Sequence, residues 1–154
     1  MLMKDMKIMI KIVFDNFSKF TGYIPSLKQL QNWCSKCQEA NNQISIFLVD
    51  EQESHQLNMK YRKKDKPTNV LSFIESSIPG FPAQQLGTLV MCPSVISNEA
   101  KKANSDPVAH WAHLCVHGTL HLLGYDHEKD NDADIMERKE IFILDKLGFS
   151  NPYK

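Results

Sequence analysis

The chain carries no net charge. Lys plus Arg number 18 and Asp plus Glu number 18, so the global basic excess that often marks nucleic-acid binding is absent. It also lacks any apolar stretch near the roughly 18–20 residues needed to cross a bilayer, and no membrane partner is expected. Near the N-terminus, Lys7 and Lys11 interrupt the apolar residues and no small-residue cleavage site follows, so no export leader is expected. Cysteine is sparse, four in all. Cys34 and Cys37 form a C-x-x-C, but no second pair follows at zinc-ribbon spacing. They share a helical pattern with Leu27, Leu30 and Trp33 and read as buried thiols, while Cys92 and Cys115 sit in apolar runs as small core residues. A cytoplasmic, reducing location is the expectation. Repeats, low-complexity tracts and linkers are missing too, so residues 1–154 read as a single domain of ordinary size. Hydrophobic content of 42% and charged content of 23% place it among globular chains.

Neutrality conceals an uneven distribution. Residues 1–66 hold 11 basic and 7 acidic side chains, and residues 67–154 hold 7 and 11. The basic excess peaks at Lys60, Arg62, Lys63, Lys64 and Lys66. Such clusters hold phosphate backbones, although a run of this kind is often a solvated loop.

Alternating apolar and turn-forming segments predict an α/β (α+β) fold. Met6–Phe14, Ile44–Val49, Thr68–Phe73 and Leu86–Cys92 read as strands. Ser26, with Gln29 at the capping-box position, opens a helix to about Ala40. Asp50, with Glu53 three residues on, opens a second that ends near the basic cluster. The Ser-, Pro- and Gly-rich segment 75–85 suggests a mobile flap. Pro93 opens a short helix. Asp106-Pro107 pairs a cap with proline at the first helical position, and the helix it opens is apolar nearly all round to Leu123, so it should be central. A last amphipathic helix, about Asp132–Leu147, shows Ile135, Phe142, Ile143 and Leu147 on one side, and Gly148 ends it.

The central helix carries the most informative run, His117 to His127, H-G-T-L-H-L-L-G-Y-D-H. Its histidines stand at offsets 0, 4 and 10, with Gly124 at offset 7. On a helix His117 and His121 lie one turn apart on one face, about 5–6 Å apart at Cβ. Both rings can then reach one ion at the roughly 2.0–2.1 Å of a zinc–nitrogen bond. Gly124 can end the helix in the left-handed conformation and return His127 as a third ligand. Three protein ligands leave one tetrahedral position open, as catalytic zinc sites do. His113 is the rival third ligand. Three ligands in a row on one helix close poorly around an ion, which favours His127 and leaves His113 supporting a ligand from behind or packed in the core. Zinc, one ion per chain, is the expected cofactor, and other divalent transition metals suit an imidazole site.

The zinc-protease pattern H-E-x-x-H places a general base beside the first ligand. Here that position is Gly118. The acid nearest a ligand is Asp126, which could orient an imidazole or cap the turn before Glu128.

The histidine run closely resembles the signature of the YbeY family, bacterial endoribonucleases that take part in ribosomal RNA maturation. A second segment, from Leu57 through Arg62, Lys64-Asp65 and Pro67-Thr68-Asn69 to Val70-Leu71-Ser72-Phe73, is similar to that family's L-N-x-x-x-R-x-K-D-x-P-T-[DN]-V-L-S-F block. The resemblance is strong from about Asp50 to Gly148. It implies a four-stranded mixed sheet packed on helices. It also implies single-strand-type, metal-dependent endonuclease action in small-subunit rRNA 3′-end maturation and ribosome quality control, with rRNA, the small subunit and assembly factors as partners. One departure stands out. The family usually has an acid after the glycine of its L-G-D strand, and this chain has Leu86-Gly87-Thr88.

The reading that follows is hydrolase action on RNA phosphodiester bonds. Zinc on three histidines brings the pKa of a bound water from about 15.7 to about 7. Arg62 is the expected phosphate clamp, because its planar fork matches phosphate oxygens, and the resemblance points to the same arginine. His117 is grouped with it as catalytic, and Lys60, Lys63 and Lys64 as substrate-binding. The general base is not assigned. The bland reading of Arg62 is a surface ion pair with Asp65. Two other functions compete: a metzincin-like metalloprotease or amidohydrolase, suggested by the histidine spacing, and a non-catalytic RNA-binding assembly factor whose metal only staples the fold.

Overall fold

A computed structural model of the chain describes residues 10–38, 42–75, 84–126 and 128–154. In chain order the elements are β1 (Lys11–Asn16), α1 (Leu27–Ser35), β2 (Asn42–Leu48), α2 (Glu51–Arg62), β3 (Val70–Ile74), β4 (Gln84–Met91), α3 (Pro93–Lys102), α4 (Pro107–Leu122) and α5 (Asp130–Lys146). The strands form one sheet in the order β1-β2-β4-β3. β1 and β4 both run parallel to β2, and β3 is antiparallel to β4. The mixed four-stranded sheet packed on helices is thus as expected. The first part of the expected initial strand, most of the 75–85 flap, the far end of the first expected helix and His127 lie outside the described residues.

The strands alternate as a pleat requires. Ile12, Ile44, Ile46, Leu48, Val70, Leu89 and Met91 point to one face and join the main core. On the other face Leu57 of α2 packs with Val49, Leu71 and Val90. α4 lies across the main core, touching α1, α3, α5, β3 and β4. Trp111, Leu120 and seven other α4 residues are buried. A core helix this enclosed derives its stability from packing rather than propensity.

Local signals explain the boundaries. Ser26 and Gln29 form a reciprocal capping box on α1, which satisfies two otherwise unpaired N–H groups. Asp106 Oδ1 accepts from the Val108 N–H at 3.0 Å, with Pro107 at the first helical position of α4. Asp50 stands at the N-cap of α2, but its carboxylate serves another segment and accepts the Lys19 N–H at 3.1 Å. All four cysteines are free and buried. Burial pushes the Cys37 thiol up, which keeps it an unreactive core residue.

α5 corrects one expectation. Its buried residues are Met136, Glu140, Ile143 and Leu144, whereas Ile135 and Phe142 are exposed. The helix is rotated so that a glutamate takes a core position.

Candidate active site

The α2–β3 connection fixes Arg62. Asn58, buried in α2, donates from Nδ2 to the Lys66 carbonyl at 2.8 Å. Ser54 donates to the Thr68 carbonyl at 2.8 Å and accepts the Thr68 N–H at 2.9 Å. These bonds fold the Lys-Asp-Lys-Pro-Thr segment back against the helix. Lys63 ends α2 in the left-handed conformation, φ 61°, so Arg62 is its last helical residue. Asp65 pairs with His55 at 2.6 Å, and among the described residues Arg62 has no ion pair. The surface-pair reading of Arg62 with Asp65 is therefore not what the fold uses. On the far side of the same loop, Asn69 Nδ2 donates to Glu99 Oε1 at 3.0 Å, and His110 Nε2 lies 2.9 Å from the same oxygen.

α4 presents a row of half-buried histidines, His110, His113, His117 and His121, along the one open edge of an otherwise buried helix. The helix ends in a Schellman turn. The Gly124 N–H reaches the His121 carbonyl at 3.0 Å, the Tyr125 N–H reaches Leu120 at 3.0 Å, and Gly124 has φ 102°, a conformation glycine adopts without strain. The turn swings the Tyr125 carbonyl back toward the helix, where it lies 3.1 Å from His121 Nδ1.

That contact and a second one set the ring chemistry. A carbonyl oxygen can only accept, so His121 Nδ1 carries the proton. His117 Nδ1 lies 3.1 Å from Glu140 Oε2. Burial raises the Glu140 pKa, but hydrogen bonds from His113 and His117 outweigh it and hold the carboxyl at about 2. Glu140 is thus a carboxylate that can only accept, and His117 Nδ1 is likewise the donor. In the neutral form of each ring the lone pair then sits on Nε2. The ring centroids are 4.7 Å apart. Two neighbouring imidazoles, each held through Nδ1 by a carboxylate or a backbone carbonyl, is the arrangement that orients metal-binding histidines.

Among the described residues, His113, His117 and Glu140 bring potential ligand atoms within 4.8 Å of one another. Their detailed geometry is that of hydrogen bonding. His113 Nε2 and Glu140 Oε1 are 2.6 Å apart, whereas two ligands on a tetrahedral zinc with bonds of about 2.0–2.1 Å stand about 3.3 Å apart. Glu140 therefore reads as the acceptor behind His117.

Arg62, Ser72, Ile74, His121, Gly124, Tyr125 and Asp126 line one cleft of about 280 Å³. The end of α2, the edge strand β3 and the α4 turn thus meet at one place, and a guanidinium faces the cleft that an inward-turned imidazole also lines. Of the basic run only Arg62 lines it. Lys60 instead belongs to a separate surface depression with His55 and Met59, and the Lys63 ammonium caps the Lys60 carbonyl at 3.3 Å. Asp126 lines the cleft and accepts the Glu128 N–H at 3.2 Å, so the turn-capping role is present.

The family model for endoribonuclease YbeY matches residues 15–148. The chain belongs to the YbeY family. The solution structure of TM1509 from Thermotoga maritima is similar across 95% of this chain and 99% of that one, with 25% sequence identity and a TM-score of 0.54. No helix among the described residues is long and apolar enough to cross a membrane.

Two features of this YbeY chain become clear in three dimensions. Thr88, where the family usually has an acid, lies between Gly87, whose added Cβ would meet Leu122 of α4, and Leu89, which packs on Gly118. By alternation Thr88 points to the opposite sheet face. The substitution therefore leaves the histidine edge untouched. Gly118, where a zinc protease has its glutamate, faces the sheet: a Cβ there would stand 2.9 Å from Leu89 Cδ2 and 3.5 Å from Ser72 Oγ. The Ser72 hydroxyl donates to the Gly118 carbonyl at 3.3 Å. Position 118 is a point of close helix–sheet approach, where a side chain would have to displace Leu89. Gly118→Ala is expected to cost about 1–3 kcal/mol by overpacking against Leu89, measured by urea unfolding. Gly118→Glu should destabilise further and confer no peptidase activity. An alanine variant as stable as the parent would contradict the close approach.

Sequence reasoning missed Glu140 and Tyr153. The one available signal for Glu140 was an acid among the apolar positions of α5.

Proposed function

We propose that this chain is a metal-dependent endoribonuclease that cuts single-stranded segments of ribosomal RNA in the cytoplasm. Its proposed metal ligands are His117, His121 and His127. The observation that carries the reading is the cleft shared by Arg62 and His121. A cation that suits phosphate oxygens and an imidazole oriented through its Nδ1 open onto the same small space.

The donor set fits a borderline metal such as zinc, because neutral imidazole nitrogens are offered by two adjacent, fixed rings. When bound, the metal supplies Lewis acidity to an oxygen of water or of the phosphate. The remaining roles fall to the chain. Arg62 binds the scissile phosphate through two parallel N–H···O bonds and offsets the charge that grows on it. The Tyr125 carbonyl and Glu140 keep His121 and His117 in the tautomer that ligation requires. RNA brings its own nucleophile, the 2′-hydroxyl, so water need not attack. Lys60, Lys63 and Lys64 lie outside the cleft and are proposed to hold the flanking backbone through charge alone. Zinc as the native metal, action at the small-subunit rRNA 3′ end, a part in ribosome quality control, and the small subunit and assembly factors as partners follow from the family resemblance.

The test sets RNA against peptide. Purified protein with its metal should cut a single-stranded RNA oligonucleotide, lose this on chelation, and leave unstructured peptide substrates intact. Metal-dependent peptide hydrolysis without RNA cleavage would move the chain to the protease reading. Metal binding with neither activity would move it to the assembly-factor reading.

A further inference from the structure

The C-terminal tail reaches the histidine row from behind. α5 ends in a second Schellman turn: the Gly148 N–H bonds the Asp145 carbonyl at 3.0 Å, and the Phe149 N–H bonds Leu144 at 2.9 Å. Phe149 then packs edge-on against Trp33, ring centroids 6.2 Å apart. This anchor turns residues 150–154 back toward α4. The tail is tightened by the Tyr153 N–H bonding Asn151 Oδ1 at 2.8 Å. As a result the Tyr153 hydroxyl donates to Glu140 Oε1 at 2.8 Å and lies 3.2 Å from His113 Nε2.

Glu140 is only 1% exposed. Its two oxygens have different tasks. Oε1 accepts from Tyr153 and His113, and Oε2 accepts from His117. A buried carboxylate held by donors on one oxygen cannot rotate without losing them, so the other oxygen stays fixed toward His117 Nδ1.

We propose that Glu140 and Tyr153 are positioning residues for the metal site: Tyr153 on the tail, with His113, locks the Glu140 carboxylate, and Glu140 fixes the ring and tautomer of His117. The inference rests on His117 being a ligand. It gives the tail a role that the cleft alone does not suggest, and it makes His113 a support rather than a ligand.

Glu140→Gln distinguishes this from simple packing. The amide keeps the volume. Its oxygen is best placed at the Oε1 position, where two donors await it, and this turns the NH₂ toward His117 Nδ1. His117 must then accept there and carry its proton on Nε2, the nitrogen needed for the metal. Glu140→Gln should therefore weaken metal affinity roughly 10–100-fold, the range for lost outer-shell partners. The measurement is competition for zinc against a chromophoric chelator. In the metal-free protein, long-range ¹⁵N–¹H spectra should show His117 changing from the Nδ1–H to the Nε2–H tautomer. Tyr153→Phe, on a half-open tail residue, keeps the ring and deletes only the hydroxyl. It should lower zinc affinity several-fold while the metal-free melting temperature stays within a few degrees. Should Glu140→Gln fail to fold, the Tyr153→Phe affinity decides the matter. Unchanged zinc affinity and an unchanged His117 tautomer in these variants would overturn the proposal. His117→Ala is the reference: if it also keeps the metal, the ligand reading itself has failed, whereas if it loses the metal and the other two do not, the failure is confined to the positioning role of Glu140 and Tyr153.

Discussion

Arg62→Ala should cut RNA roughly 100-fold or more slowly than the parent, the scale on which one charge-stabilising donor acts at a reacting centre. Its metal content and melting temperature should stay close to those of the parent. The separation of effects follows from where Arg62 stands. It is exposed, it ends α2, and among the described residues it has no ion pair to lose. The bonds that hold its loop come from Asn58 and Ser54 instead. Arg62→Lys should restore little, because an ammonium cannot make the two parallel bonds of the guanidinium fork. The lysines beside it should behave differently. Removing Lys60, Lys63 or Lys64 should weaken RNA binding modestly and make the salt dependence shallower by about one phosphate contact. Cleavage by Arg62→Ala at the parent rate would remove the phosphate clamp from the mechanism.

His117→Ala and His121→Ala should each lose most bound metal and, with it, cleavage. Both should also melt at a lower temperature than the metal-loaded parent, since a ligand that binds only the native state stabilises it by mass action. His127→Ala is expected to behave in the same way. His113→Ala should keep most of its metal, because its nitrogen is committed to Glu140 at 2.6 Å. Ligating histidines must be neutral, so protons compete with the metal and occupancy in the parent should fall as the solution is made more acidic. The stabilisation is thus present at neutral pH and lost toward acid. Full metal content in both His117→Ala and His121→Ala would remove the centre from this helix.

What could be read in the chain was local. Asp106-Pro107 marked the start of α4, Gly124 marked its end, and the 3.6-residue period placed His117 and His121 on one edge; each feature depends on neighbours within a turn or two. Ser26 and Gln29 announced α1 for the same reason. What escaped notice is long-range. Glu140 is 23 residues from His117 and belongs to a helix whose apolar residues suggest two different faces. Ile135 and Phe142 looked like core, yet they are exposed, because the face that α5 turns inward carries Met136, Ile143 and Leu144 with Glu140 among them. Asp50 shows the same limit in miniature. Its position as a cap was legible, but its use by Lys19, 31 residues away, was not. Gly118 could be noted only as a missing base. Its close packing against Leu89 was not legible.

The proposed action of one metal on the α4 edge, together with Arg62, on RNA is open to a single titration: the metal is stripped and zinc is added back stepwise while cleavage of a single-stranded RNA is followed. Activity should vanish in the stripped protein and return in proportion to zinc, reaching its plateau at about one ion per chain. RNA cleavage that persists in the metal-free protein, or that fails to return once one zinc is bound, would contradict the account.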